Sequence, residues 1–492
     1  MLSKSKFQSF LKCPKCLWLH KYKKEYADFG NMQAIMDQGN VIGDLAMGLF
    51  GDFTEVTVLR EDGTPDIPKM IERTNELLLE GESVICEASF SYNGCYCAVD
   101  ILRKEKVGYA IYEVKSSTAV KDTYVTDLAY QKYVLTNCGI KVTDTYLVCI
   151  NSDYVFDGTL DLNGLFKINH LTDEVNCYYP YVEDDTLQAK NVLAIKDELD
   201  TIYNANCKGC EFYGYCTKDL PHPNVFDLYG IGFSFKKMVE LYNEGKVSFS
   251  DLLGDKRIKG IRAMQINHAL NDLGDEVNKK EVKKFLDTLS YPMYFLDFET
   301  MQLAIPEFIG TKPFAQIPFQ YSLHYIENEG GELKHKEFLA ESGTDPRRAI
   351  AEALCRDIPR DVCVIAYNKS FECGRIRELA HEFCDLSDHL LNIENNIVDL
   401  IEPFRGGHYY NKNMGGSFSI KSVLPALFPS DPTLDYHNLE GVHNGSEAMT
   451  IFPKIKDMSP SEREEARRSL LEYCKLDTYA MVKVYEKLKE VI

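Results

Sequence analysis

The sequence predicts an α/β protein with two domains joined by a small helical connector. Three observations support this prediction. The chain of 492 residues is long enough for two or three domains, strands and helices alternate in two separate stretches, and no internal repeat relates these stretches. We place the first domain at residues 1–220, the connector at 221–285 and the second domain at 286–492.

Composition limits the classes of function. The hydrophobic content of 45% is ordinary for a globular protein. No apolar run approaches the roughly 20 residues that span a bilayer, and the first residues lack the apolar core of a secretory signal. Cysteines without such a signal are typical of a reducing compartment, so we expect a cytoplasmic protein without a membrane partner.

The net charge of −20 argues against broad nonspecific binding of nucleic acid, because neutralising phosphates requires lysine and arginine. The connector nevertheless has a slight basic excess, and lysines crowd the segment 4–24. A nucleic-acid path would therefore follow local basic patches. Each patch alone also fits the solvated face of a helix.

The first domain is predicted to begin with helices up to about residue 50 and to continue as a mixed sheet. Its predicted elements are strands at 84–90, 95–102 and 109–115, a helix at 124–138 and a strand at 145–150. Asn93-Gly94 between the first two strands is a strong signal for a two-residue hairpin. This order predicts a small mixed sheet with flanking helices.

The connector is predicted to contain short helices, and a second α/β unit follows it. The predicted elements of this unit are strands at 294–299, 317–326 and 362–367, and helices near 371–383, 418–428 and 461–489. The two units do not look like copies of each other.

A first candidate metal site lies in the first sheet. Glu113 and Lys115 are two residues apart on one strand, so they point to the same side, beside Asp100 on the adjacent strand. Two carboxylates can bind Mg²⁺ or Mn²⁺, and a lysine can position the attacking water. Glu87 could add a third carboxylate. Gln131 could orient a substrate or be an ordinary surface glutamine.

A second candidate site begins on the strand 294–299. Asp297 and Glu299 share one face of this apolar strand, and buried carboxylates need a neutralising partner such as a metal ion. Tyr473 and Asp477 are four residues apart, so they share one face of a helix. Glu372 follows a strand end and lies in the next helix.

The motifs of the first domain, Asp100, Glu113-Val-Lys115 and Gln131, resemble the PD-(D/E)XK nuclease core of the RecB-like family. The resemblance implies a restriction-endonuclease-like mixed sheet and hydrolysis of phosphodiesters. That family commonly has a histidine ligand in the helix before the sheet, at a place where this chain has none and where Asp44 is the nearest acid. An inactive first site is therefore an open alternative.

The cysteines extend this resemblance. Cys13 with the distant trio Cys207, Cys210 and Cys216 resembles the iron–sulfur branch of the same family. The resemblance implies four thiolates that hold a [4Fe–4S] cluster. The alternative is Zn²⁺, because Cys13, Cys16, Cys207 and Cys210 form a paired C-x2-C set that leaves Cys216 spare.

The motifs of the second domain resemble the DEDD exonucleases of the tyrosine subtype, which have an RNase H-like fold. The resemblance implies that Asp297, Glu299, Glu372 and Asp477 bind two metal ions and that Tyr473 orients the water. Glu372 stands where that family usually has aspartate.

Two further segments near the second site are interpreted as structural. Ser417 to Lys421 resembles a helix start seen in such domains, but we interpret it as a serine-capped helix. Asp399 is predicted to support structure.

The whole chain resembles a little-characterised bacterial family that joins these two modules. We therefore expect a nuclease that uses Mg²⁺ or Mn²⁺ at two sites, in repair or defence. DNA is preferred over RNA as substrate, as single strands or ends. The alternative is a nucleic-acid-binding scaffold in which one or both sites are inactive. The sequence predicts no particular protein partner.

Overall fold

The computed structural model describes residues 1–30 and 32–492, which form two compact units. The first unit consists of Met1–Asp219 and Leu303–Ala315, and the second of Leu220–Gln302 and Gln316–Ile492. Both units combine helices with mixed sheets, which confirms the predicted α/β class. The segment 221–285, predicted as a connector, lies within the second unit.

The first unit is built on a seven-stranded sheet. Its strands are β1 (Leu2–Ser3), β2 (Thr54–Glu55), β3 (Val84–Tyr92), β4 (Cys95–Glu105), β5 (Gly108–Lys115), β6 (Val142–Ile150) and β7 (Phe166–His170). Its helices are α1 (Lys4–Lys12), α2 (Pro14–Tyr22), α3 (Met32–Met47), α4 (Ile67–Glu80), α5 (Asp122–Asn137), α6 (Leu162–Leu165), α7 (Thr172–Tyr178), α8 (Val182–Ala194) and α9 (Tyr213–Thr217).

The sheet order is β2-β3-β4-β5-β6-β7, and β1 pairs with β4. Strands β3, β4 and β5 are antiparallel, whereas β5 and β6 are parallel. Asn93 and Gly94 join β3 to β4 with φ values of 44° and 75°. Both values are positive, as a type I′ hairpin turn requires, which confirms the predicted hairpin.

Helices cover both faces of the first sheet, because side chains alternate along each strand. Leu102 of β4 belongs to a core with Phe7 of α1 and Leu128 of α5. Its neighbour Ile101 belongs to a separate core with Ile42 of α3. The acidic residues of β4 and β5 are therefore held in a sheet that is packed on both sides.

The second unit is built on a five-stranded sheet and a small two-stranded ribbon. Its strands are β8 (Glu276–Val277), β9 (Met293–Gln302), β10 (Gln316–Ile326), β11 (Leu333–Leu339), β12 (Cys363–Ala366), β13 (Ile397–Asp399) and β14 (Tyr409–Tyr410). Its helices are α10 (Phe235–Asn243), α11 (Ile261–Leu270), α12 (Lys279–Leu286), α13 (Arg347–Asp357), α14 (Ser370–Glu382), α15 (Ser387–Asn395), α16 (Glu402–Arg405), α17 (Ile420–Leu427), α18 (Gly445–Ile451) and α19 (Pro460–Glu490).

The order of the larger sheet is β11-β10-β9-β12-β13. Strands β11, β10 and β9 are antiparallel, and β9, β12 and β13 are parallel. Sequence analysis missed β11 and β13. Strand β11 is half-exposed and polar at the sheet edge, and β13 has only 3 residues, so neither shows a strong apolar pattern.

The central strand β9 positions the second candidate site. Leu296 and Phe298 pack in the core that contains Ile350 of α13 and Ile376 of α14. Phe295, on the opposite face, contacts Tyr485 of α19, with 5.9 Å between ring centroids. Because side chains alternate, Asp297 and Glu299 face α19. Among the described residues, no helix is both long enough and apolar enough to cross a bilayer.

Candidate functional site

The first acidic cluster consists of Asp100 on β4, Glu113 and Lys115 on β5, and Gln131 on α5. The structure brings these four predicted residues together. Gln131 Nε2 donates to Glu113 Oε2 at 2.7 Å, and Lys115 Nζ donates to Glu113 Oε1. The backbone N–H of Val114 donates to Asp100 Oδ2 at 2.7 Å, which fixes that carboxylate against β5.

Lys4 completes the first acidic cluster, and sequence analysis missed it. Its Nζ lies 2.8 Å and 3.0 Å from the two oxygens of Glu113 and 3.6 Å from Asp100 Oδ1. The ammonium group therefore supplies, between the two carboxylates, the positive charge that a metal ion would otherwise supply. A metal ion could bind both carboxylates only after Lys4 had moved away.

The charges of this cluster compensate one another. Burial alone would lower the pKa of Lys4, but Asp100, Glu113 and Asp127 raise it well above its usual value. Burial would likewise raise the pKa of Glu113, but Lys115 and Lys4 hold it well below its usual range. These charged forms are stable in the fold without a metal ion.

Two further acids lie near this cluster. The pKa of Glu87 is raised to about 7, mainly by burial and next by Asp100. Its backbone has φ 56°, a left-handed conformation that is uncommon for residues other than glycine. Asp127 was missed. It accepts a hydrogen bond from Lys115 Nζ at 3.1 Å and lies one helical turn before Gln131, a spacing that could have revealed it.

The second acidic cluster consists of Asp297 and Glu299 on β9 and Tyr473 and Asp477 on α19. All four predicted residues line one open cleft. The thiol of Cys474 lies within 4.8 Å of carboxylate oxygens of Asp297 and Glu299. The two predicted pairs, one from a strand and one from a helix, thus meet in a single concave site.

The carboxylates of the second cluster have no cationic partner. Among the described residues, no lysine or arginine nitrogen lies within 4.0 Å of Asp297, Glu299 or Asp477. Burial raises the pKa of Asp297 well above its usual value, and repulsion by Asp477 and Glu299 raises it further. The pKa values of Glu299 and Asp477 are also raised, mainly by burial. This cluster therefore favours protons or cations.

Two residues that form hydrogen bonds with members of this cluster were not recognised from the sequence. Tyr436 donates a hydrogen bond from its hydroxyl to Asp477 Oδ1 at 2.6 Å. Lys421 Nζ donates to the Tyr473 hydroxyl at 3.2 Å and to the backbone oxygen of His443 at 3.2 Å. Ser419 occupies the N-cap position of α17, as predicted, but its side chain makes no capping hydrogen bond, and Lys421 lines the cleft.

Glu372 does not line this cleft, unlike the other predicted ligands. It is only 3% exposed, and its Oε2 has no hydrogen-bond partner in the described part of the chain. Burial raises its pKa to about 8. Its charge still raises the pKa of Asp297, so the two groups lie within electrostatic reach. Asp399 has the predicted structural role, since it accepts hydrogen bonds from the Asn368 backbone and from Arg405.

Five cysteines line a third site, which we call the cysteine cavity. They are Cys13, Cys16, Cys207, Cys210 and Cys216, and none forms a disulfide. The predicted iron–sulfur ligands and the alternative zinc ligands thus surround the same cavity. The sulfur atoms of Cys16 and Cys210 and a carboxylate oxygen of Glu211 lie within 4.8 Å of one another.

The surroundings of this cavity favour a thiolate at Cys210, whereas burial raises the pKa values of Cys207 and Cys216. A hydrogen bond with Cys16 is the main cause that lowers the pKa of Cys210 to about 6, and Lys12 contributes. Glu211 is held by His20 Nε2 at 2.7 Å and by Lys12 Nζ at 2.9 Å. Four or more thiols around one cavity fit a thiolate-bound metal group, because a thiolate is the form of cysteine that binds metals.

Comparison with known proteins gives a family without an assigned function. A family model described as a domain of unknown function (DUF2779) matches residues 294–419. This range contains Asp297, Glu299 and Glu372 but ends before Tyr473 and Asp477.

Several curated relatives are similar to this chain. An uncharacterized protein of Mycoplasma pneumoniae is 24% identical over 303 residues, which cover 55% of this chain and 45% of that protein. An uncharacterized protein of Mycoplasma genitalium is 24% identical over 54% of this chain and 44% of its own length. A third, from Ureaplasma parvum, is 24% identical over 80% of this chain and 61% of its own length. The chain thus spans about half of the two Mycoplasma proteins.

Proposed function

We propose that this protein is a metal-dependent nuclease that hydrolyses phosphodiesters of nucleic acid, and that the second acidic cluster is its catalytic centre. DNA is the proposed substrate, as single strands or ends, and RNA is the alternative. The observation that carries this proposal is the convergence of Asp297, Glu299 and Asp477 in one open cleft, where no lysine or arginine nitrogen of the described residues lies within 4.0 Å of their carboxylates.

The donor set fits Mg²⁺ or Mn²⁺, because these ions prefer carboxylate oxygens and would favour the charged forms that burial disfavours in all three carboxylates. Asp297, Glu299 and Asp477 would hold the ions. When bound, such ions stabilise the attacking and leaving oxygens of an in-line displacement. Glu372 lies outside the cleft, and burial raises its pKa to about 8, so we assign it no ligand role.

The chain's own residues would orient the reaction. The Tyr473 hydroxyl, held by Lys421 at 3.2 Å, is placed to orient a water molecule beside the carboxylates. Tyr436 fixes the rotamer of Asp477 through its 2.6 Å hydrogen bond. Lys421 lowers the pKa values of Asp297 and Glu299, so it opposes their protonation, and its ammonium group can contact a phosphate.

These contacts support a DEDD-type exonuclease site of the tyrosine subtype on an RNase H-like fold. The first unit, with its Asp100, Glu113 and Lys115 cluster, supports a PD-(D/E)XK-like fold. Both finer fold assignments rest on the motifs and on the mixed sheets that carry them.

A second candidate function for the first acidic cluster is binding of nucleic acid without hydrolysis. The position of Lys4 favours it, because this lysine neutralises Glu113 and Asp100 as a metal ion would. Under this alternative, the first unit binds the nucleic acid and the second unit hydrolyses it.

A nuclease assay distinguishes hydrolysis at the first cluster from hydrolysis at the second. Its substrates are end-labelled single- and double-stranded DNA and RNA, in Mn²⁺ or Mg²⁺. Wild type is compared with Asp100→Ala, Asp297→Ala and the double variant. Loss of all activity in Asp297→Ala alone supports a single catalytic centre, and a stepwise loss supports two. Absence of activity on every substrate, in folded and metal-loaded protein, would contradict the nuclease proposal.

The cysteine cavity is proposed to hold a [4Fe–4S] cluster, with Zn²⁺ as the alternative. The two donor sets differ at one position, since the cluster would use Cys216 and zinc would use Cys16. Iron, sulfide and zinc content and the visible spectrum of anaerobically purified protein are compared for Cys16→Ser and Cys216→Ser. Loss of iron only in Cys216→Ser supports the cluster, and loss of zinc only in Cys16→Ser supports zinc.

A further inference from the structure

A second cavity of the second unit adjoins the catalytic cleft. We call it the basic pocket. The residues of this pocket used below are Tyr229, Ile231, Arg405, Ser417, Phe418 and Lys421. The pocket shares Tyr367, Ile420 and Lys421 with the cleft of the second acidic cluster. A ligand that fills both cavities therefore passes Lys421.

The charge of the basic pocket is opposite to that of the cleft. Arg405 and Lys421 are its charged lining residues, and no carboxylate lines it, although the chain has a net charge of −20. Arg405 Nη2 contacts Asp399 at 3.0 Å, which leaves most of the five guanidinium N–H donors for another acceptor. Such a pocket attracts an anionic group to the edge of the acidic site.

The wall of the pocket combines apolar surface with unused hydrogen-bonding groups. The rings of Tyr229 and Phe418 are in contact, with 4.2 Å between centroids, and Ile231 is exposed. Tyr229 is 5% exposed, and its hydroxyl has no hydrogen-bond partner in the described part of the chain. A buried hydroxyl without a partner costs free energy unless a ligand or water satisfies it.

We propose that the basic pocket binds one nucleotide of a single-stranded polynucleotide, next to the nucleotide whose phosphodiester lies in the cleft. Arg405 contacts its phosphate, and the Tyr229 hydroxyl hydrogen-bonds to the same nucleotide. A single strand is favoured because its bases are free to enter an apolar concave surface, whereas bases stacked in a duplex are not. The inference deepens the proposed nuclease function by defining its substrate class.

Binding is measured by fluorescence anisotropy in the Asp297→Asn background, so that hydrolysis does not interfere. The probes are a labelled single-stranded DNA and a single-stranded RNA of equal sequence, and a duplex serves as competitor. Arg405→Gln should raise the Kd about tenfold, because a charge-assisted hydrogen bond is lost, and should reduce the salt dependence by about 0.7 of a unit for the lost phosphate contact. Tyr229→Phe should raise the Kd about threefold.

Arg356→Gln is the matched control, since Arg356 Nη2 also contacts a buried aspartate, Asp357, at 3.0 Å but lines neither cavity. Thermal unfolding checks that Arg405→Gln is folded; Tyr229→Phe retains the ring and provides an independent variant. Equal Kd values for Arg405→Gln, Tyr229→Phe and the Arg356→Gln control would overturn the inference. The inference would also be overturned if the duplex competed as well as a single strand, or if the protein bound neither the DNA probe nor the RNA probe.

The two proposals fail separately. Wild-type hydrolysis with no effect of Arg405→Gln on binding rejects the basic pocket and keeps the nuclease. Binding that depends on Arg405, in a protein that hydrolyses no substrate, keeps the pocket and rejects the nuclease.

Discussion

The two acidic clusters present similar side chains but neutralise them differently. In the first cluster, Lys4 and Lys115 contact Glu113 directly. In the second, the carboxylates of Asp297 and Glu299 have no lysine or arginine within 4.0 Å among the described residues. Burial disfavours a charged carboxylate in both. Glu113 is therefore stable in its charged form, although burial still raises the pKa of Asp100, whereas the carboxylates of the second cluster require protons or metal ions.

A pair of strand carboxylates therefore does not by itself define a metal site. The distinguishing property is whether the fold also supplies a cation. Lys115 and Lys4 lower the pKa of Glu113, whereas burial and the neighbouring carboxylates raise the pKa of Asp297.

The largest expected difference between the two clusters is in the rate of catalysis. We expect Asp297→Asn to lower the rate of nucleotide release roughly 10³-fold, as removal of a preorganised electrostatic group can do, and Asp100→Asn to leave the rate close to wild type. Both substitutions keep the size of the side chain. Rates are measured on end-labelled single-stranded DNA in Mn²⁺. A larger loss in Asp100→Asn than in Asp297→Asn would reverse the assignment.

The second prediction concerns the internal cation of the first cluster. Lys4→Ala should lower the free energy of unfolding by about 3 kcal/mol, because it leaves buried carboxylates without a partner. Lys6→Ala is the control on the same helix, since Lys6 Nζ contacts only the Met1 backbone oxygen at 3.3 Å. Urea denaturation in EDTA measures both. Equal losses in the two variants would show that Lys4 does not neutralise the cluster.

The third prediction concerns the pH dependence of stability. Folding raises the pKa of Glu372 to about 8, so its protonated form stabilises the fold fully below the usual pKa and progressively less as the pH rises towards 8. Metal-free protein should lose about 2 kcal/mol of unfolding free energy from this group between pH 5.5 and 7. The contribution of Glu113 to stability changes with pH in the opposite direction. Because its pKa is lowered, Glu113 stabilises the fold at neutral pH and less so in acid.

Glu372→Gln tests this assignment, because a neutral amide cannot titrate. The variant should lose less stability than wild type between pH 5.5 and 7, measured by denaturation in EDTA. Glu382→Gln, at an exposed position of the same helix, should follow the wild-type profile. If Glu372→Gln also follows the wild-type profile, the titration of Glu372 does not cause the loss of stability with rising pH.

The smallest expected effect is at Tyr473. Tyr473→Phe should lower the rate of hydrolysis about tenfold with an unchanged melting temperature, because one orienting hydrogen bond is lost. Tyr479→Phe is the control on the same helix, since Tyr479 lines a different cavity. Equal rates for the two variants would remove Tyr473 from the mechanism and leave the carboxylates as its only assigned groups.

Much of the fold was predictable from local patterns. The hairpin at Asn93-Gly94 follows from the positive φ values that these two residues adopt readily. The helix that carries Tyr473 and Asp477 was predicted at 461–489 and extends over Pro460–Glu490, with a capping box at Ser459 and Glu462. Strand β11 was missed because polar residues at a sheet edge lack the periodicity of a buried strand.

The candidate sites likewise have some features that local sequence predicts and others that depend on tertiary packing. The carboxylates that share a face were predictable from the sequence, since spacings of two on a strand and four on a helix are local geometry. Only the tertiary structure decided that Lys4 contacts Glu113, 109 residues away, and that Glu372 lies outside the cleft. Such outcomes depend on how distant elements pack, and no local spacing encodes the distance between side chains on separate elements.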